Sequence, residues 1–168
     1  MSTIERDGRT FGWIIEPDDR NEPPWTQEDG HGPVTDWTTR DKQPGERVLI
    51  TDRRSKRFYD FAEACRIARR DGWGVNGGQL PNESAKAYAA RAVEADYTRL
   101  SAWCNGVWSY VGVVLVPLCT CCGEGEPDYF HALWGVESDA DDYLETVAGE
   151  LVDQYIADSE PSADCCDA

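Results

Sequence analysis

From Leu100 to Ala168 the chain contains no lysine and no arginine, although residues 1–99 hold all 16 of them. That C-terminal part carries 14 acids and a formal charge of −14, which excludes it as a surface for nucleic-acid phosphates. Histidine is scarce, with two residues, and methionine occurs once. Neither His31 nor His131 stands in a triad or zinc-protease motif, so no histidine-based catalysis is specified. No apolar run approaches the roughly 18 residues that span a bilayer. The start, MSTIERDGRT, has neither the basic opening nor the apolar stretch of a signal peptide. The expectation is a cytoplasmic protein with no membrane contact.

The first 99 residues are nearly balanced, with 16 basic and 18 acidic side chains, a net of −2. They contain a local reversal: Arg53, Arg54, Lys56, Arg57, Arg66, Arg69 and Arg70 against Asp60 and Glu63 give +5. The charge is therefore bipolar along the chain. Seven tryptophans, seven tyrosines and four phenylalanines among 168 residues supply ample material for a core. One domain over residues 1–158 is expected, with an extended loop at 17–45 and an acidic flexible tail at 159–168.

Residues 10–16, TFGWIIE, and 47–52, RVLITD, read as strands. The segment between them is dense in Pro, Gly and Asp, with Trp25, Val34 and Trp37 as expected anchors to the body. Asp60 is a candidate N-cap and Gly72 a stop for a helix with Phe61, Ala64, Cys65 and Ala68 on its inner side. A second helix is expected from Asn82, burying Tyr88, Ala92, Ala95, Leu100 and Trp103. The uncharged run 107–119 predicts a central strand, and 128–137 an antiparallel neighbour. A last helix is expected from Ser138 to Asp158, with Ser138 and Asp141 as a capping box. Tyr143, Leu144, Val147, Ala148, Leu151, Val152, Tyr155 and Ile156 form its apolar stripe. The order β-β-α-α-β-β-α indicates an α+β fold, a mainly antiparallel sheet with helices packed on one face.

The stripe leaves Asp142, Glu145, Glu150 and Asp153 pointing outward. Acids in the first turn favourably meet the helix dipole, whereas Glu150, Asp153 and Asp158 oppose it by a few tenths of a kcal/mol each. Helix stability thus does not account for them; solubility is the general reading of such acids, and a surface for a basic partner the more specific one. The rival surface is the basic patch of Arg53, Arg54, Arg66, Arg69 and Arg70, with Trp73 as a stacking residue for nucleic acid. The −14 charge opposes that reading, so direct nucleic-acid binding is not expected.

Other motifs carry less. GWGVNG at 72–77 matches G-x-G-x-x-G but follows a helix, where its glycines cannot cradle a pyrophosphate. Cys119, Cys121 and Cys122 are expected as reduced thiols in a turn. A zinc site with His131 or Cys104 as fourth ligand is the lesser alternative, because C-x-C-C is not zinc-knuckle spacing. CCDA at the end has the length of a prenylation box but an Asp at an aliphatic position. No cofactor and no enzymatic activity are expected.

The segments RFYDFAEACRIARRDGWG, RAVEADYTRLSAWCNGVWSYVGVVL, ALWGVESDADDYLETVAGEL and WTTRDKQPGERVL resemble a family of small bacteriophage and prophage accessory proteins with no assigned enzymatic activity. The resemblance spans most of the chain. The cysteine cluster departs from the polar, variable turn of such relatives. What the resemblance implies is an accessory protein expressed in the bacterial host cell and dispensable for the virion. Joined to the acidic helix, it yields the expectation of an anti-defence inhibitor. Such a protein would imitate DNA to a basic surface on a host or defence-system protein.

Overall fold

The computed structural model describes residues 1–27 and 30–158; the expected tail at 159–168, with Cys165 and Cys166, lies outside the described residues. The fold is α+β, with sheets that are antiparallel throughout. The observed elements are β1 (Ser2–Arg6), β2 (Arg9–Pro17), α1 (Pro24–Gln27), β3 (Glu46–Asp52), β4 (Ser55–Asp60), α2 (Phe61–Asp71), α3 (Ala85–Cys104), β5 (Tyr110–Pro117), β6 (Asp128–Glu137) and α4 (Asp142–Asp158). Relative to the expected order, β1, β4 and the one-turn α1 are additional. The strands divide into a four-stranded sheet, β1-β2-β5-β6, and a two-stranded sheet, β3-β4. Two compact units result: Met1–Asn21 with the chain from Trp108 onward, and Glu22–Val107.

In the first unit β5 is interior, and every residue from Tyr110 to Val116 is buried. That matches its lack of charge, since a strand covered on both faces has no place for a polar side chain. β6 pairs antiparallel with it, as expected, but lies at the sheet edge. Gly112 of β5 lies directly beneath the Trp134 ring, which any Cβ there would overlap. α4 packs on β5 and β6, with Leu144, Val147, Ala148, Leu151 and Val152 buried against Val111, Val113, Leu115 and Phe11. Each of the larger side chains contributes about 1.5–3 kcal/mol.

The helix begins four residues later than expected. Ser138 does not cap it: the Ser138 hydroxyl accepts from the Ser109 N–H at 3.0 Å, and the Ser138 N–H donates to the Ser109 carbonyl at 2.8 Å. Both bonds hold the approach to β5 instead. Asp141 takes a left-handed backbone, φ 36, so the capping box is not formed.

In the second unit Asp60 caps α2 by accepting the Glu63 N–H, and Gly72 ends it in the left-handed conformation. The N-cap of α3 is Ser84 rather than Asn82, which instead sits in a turn at φ 64. α2 and α3 enclose Leu49, Tyr59, Ala64, Ala68, Ala89, Val93 and Leu100. Ala95, expected inward, is exposed. Within the loop, Trp25 packs edge-on against Trp103 at 5.4 Å and Val34 joins the core. Trp37 stays 44% exposed. The loop also runs beside β4 as a frayed third strand, bridging Val34 to Tyr59 and Thr38 to Lys56.

Candidate functional site

Asp142, Glu145, Glu150 and Asp153 differ by 3, 5 and 3 residues. At 100° per residue all four fall within one side of α4, over about 16 Å of axis. The structure brings them together: all four are exposed, and all four line one open groove of about 510 Å³ with Thr146, Gly149 and, from β1, Ile4 and Arg6. The groove exists because the apolar stripe seats α4 against the sheet, which leaves its polar side beside β1.

Two details change the electrostatic reading. Because α4 starts at Asp142, that residue and Glu145 occupy the first turn, where negative charge is stabilised by the dipole. Asp153 is paired with Arg6 at 2.8 Å, a contact invisible to any pattern over 147 residues of separation. Asp158 lies 3.5 Å from His131 Nε2. Glu150 alone of the outward acids in the last turns has neither the dipole nor an ion pair among the described residues. The Arg6–Asp153 pair is exposed on both sides, at 42% and 61%. Such pairs are worth about 0–1 kcal/mol, so a cationic partner can displace Arg6 at little cost.

The basic patch is dispersed. Arg53 and Arg54 sit at the β3–β4 turn, whereas Arg66, Arg69 and Arg70 lie on α2. Arg66 pairs with Glu63 at 2.9 Å and Arg70 with Asp71 at 2.7 Å. Trp73 is half-buried against the core of the second unit. Arg57 stands over the rings of Trp25 and Trp37, 5.6 and 5.2 Å from their centroids. Part of the positive charge is thus used inside the fold.

A buried network that the sequence did not reveal joins His31, Gly32 and Tyr59 to Asp96. The Asp96 carboxylate accepts the Gly32 N–H at 2.8 Å and the Tyr59 hydroxyl at 2.6 Å, and lies 2.5 Å from His31 Nδ1. Burial pushes the Tyr59 phenol well above its usual value, and the bond to Asp96 adds to the shift. Gly32 is required: any Cβ there would overlap the Tyr59 ring. With several donors converging on one carboxylate, the network fastens the loop to α3. His131 Nδ1 meets Asp128 at 2.9 Å. Burial raises the Asp128 carboxyl, but hydrogen bonds from His131 and the Phe130 N–H outweigh it and hold it below its usual value.

Cys119, Cys121 and Cys122 converge, with their sulfurs within 4.8 Å of one another, but Cys121 is disulfide-bonded and not the reduced thiol expected. His131, with each ring nitrogen facing a carboxylate, does not join them, and neither does Cys104.

Compared with family models, with curated proteins and with solved structures, the chain matches none. No helix among the described residues is long and apolar enough to cross a membrane.

Proposed function

We propose that the groove between α4 and β1 binds a basic surface on a bacterial protein that normally handles nucleic acid, and thereby inhibits that protein. The observation that carries this reading is the convergence of Asp142, Glu145, Glu150 and Asp153 on one open groove, in a part of the chain with no cation after Arg99. Their axial span of about 16 Å equals that of about five phosphate-to-phosphate steps on one DNA strand. A partner groove lined with Arg and Lys meets four carboxylates at comparable spacing. The setting, a phage accessory protein acting against a host defence or regulatory factor, rests on the resemblance of the sequence segments. The partner is a protein, the protein itself is no enzyme, and no cofactor takes part.

The test is charge reversal. Glu145→Lys, Glu150→Lys and Asp153→Lys together should abolish binding to a partner captured from bacterial lysate, then purified and identified. Circular dichroism should stay that of the wild type, since all three side chains are exposed. Retained affinity in a folded reversal variant refutes the reading.

A further inference from the structure

We infer that Trp134, Glu16 and Tyr129 form a binding site for the guanidinium of an arginine side chain of a partner protein, on the sheet face opposite α4. Within β5, Val111 and Val113 pack toward α4, so Gly112 between them faces the other way. Glu16 of β2 is the cross-strand partner of Gly112, its Cα about 4.5–5.5 Å away, and it shares that face. The Trp134 ring lies directly over Gly112. One face of the indole thus rests on backbone, with a carboxylate on the neighbouring strand.

The backbone aims the ring. Trp134 and Gly135 together oppose Gly112, between the pairs Val111–Val136 and Val113–Leu133, and such a bulge redirects a side chain. Gly135 takes φ 78. Its N–H donates to Asp18 Oδ2 at 3.1 Å, an oxygen that also accepts Asn21 Nδ2 at 2.6 Å. Held in this way, Trp134 is still 41% exposed. Tyr129, 56% exposed, donates its hydroxyl to Glu16 Oε1 at 3.1 Å and so orients the carboxylate.

Ring and carboxylate together select the ligand. An open indole face attracts a cation, and Glu16, Asp18 and Asp19 against Arg20 keep this stretch net negative. A guanidinium is flat, so it stacks on the ring while its N–H edge donates to Glu16. Lysine brings the charge without the plane. Trimethyllysine has no N–H to give Glu16 and is recognised by several rings forming a cage, whereas here a single indole face lies open. No residue of α4 or β1 takes part, so the site does not rest on the groove.

The full-length chain is titrated with the capped peptide Gly-Ser-Arg-Ser-Gly and with versions carrying lysine, trimethyllysine or neutral citrulline at the centre. NMR follows the Trp134 indole N–H, identified by its loss in Trp134→Leu, and the Gly112 and Gly135 N–H signals. The arginine peptide should shift all three and bind most tightly. Read from the glycine signals, Trp134→Leu should weaken it about five-fold and Glu16→Gln about ten-fold. Melting curves confirm that each variant is folded. The Trp134 shift should persist in the triply reversed groove variant, which separates this site from the groove. The inference is overturned if the arginine peptide leaves the Trp134 signal in place, or if folded Glu16→Gln binds like the wild type. Lysine, trimethyllysine or citrulline binding as tightly as arginine would equally overturn it, as would loss of the shift in the groove variant.

Discussion

Asp96 shows how a single carboxylate can organise a loop. It lies 64 and 65 residues from Gly32 and His31, and its side chain is 8% exposed. Replacing it with Asn keeps the shape, removes the charge and sets an amide NH₂ against converging donors. Asp96→Asn should cost about 1–3 kcal/mol, seen as a lower urea midpoint, and Gly32→Ala should act in the same direction by displacing Tyr59. An unchanged midpoint in both would mean that the network does not secure the loop. A second residue-scale expectation concerns acid. Hydrogen bonds from the Arg91 guanidinium, then from the Leu80 N–H, lower the Glu83 carboxyl from 4.5 to about 2. Stability from this lowered group is complete above its unfolded value and is lost as pH falls from about 4.5 toward about 2. In Arg91→Ala the Glu83 titration followed by NMR should move up toward the ordinary range. A titration that stays low would assign the shift to the backbone bond instead. The Asp96 pairings were not readable beforehand, because no periodicity links residues 37 to 65 positions apart.

Among the elements, those with strong local signals were readable. Asp60 and Gly72 bounded α2, and the charge-free run marked β5. The stripe of α4 was placed on the right face except for Tyr143, which is 53% exposed, and its start was misjudged because Ser138 finds a better partner in Ser109. β1 escaped notice because an edge strand with one inward side chain, Ile4, leaves polar residues elsewhere: STIER has no alternation to read. β4 was obscured by the basic run that overlaps its first half, and its Phe58 and Tyr59 are the buried members. The buried stripe makes a strong prediction: Leu151→Asp should remove about 4 kcal/mol or more, because it places an unpaired carboxylate against the sheet. That is a large share of ordinary domain stability. A variant that melts with the wild type would show that α4 is not held by this face. The groove acids were likewise readable from helical spacing, whereas Arg6 was not.

At the scale of the whole molecule, the bipolar charge makes two readings compete. If the negative groove is the working surface, the chain alone should not shift labelled duplex DNA in a gel. If the arginines of the second unit are the working surface, it should, with Arg66 and Arg69 required. Exposed charges are screened over about 10 Å at about 0.1 M salt, so the groove's affinity for its partner should fall steeply between about 50 and about 300 mM. The most direct measurement is competition on the purified partner: labelled duplex DNA is bound first, and the wild-type or triply reversed chain is added. Imitation of DNA predicts that the wild-type chain displaces the duplex and that the Glu145→Lys, Glu150→Lys, Asp153→Lys variant does not. A ternary complex in which partner, duplex and chain are bound together would contradict it.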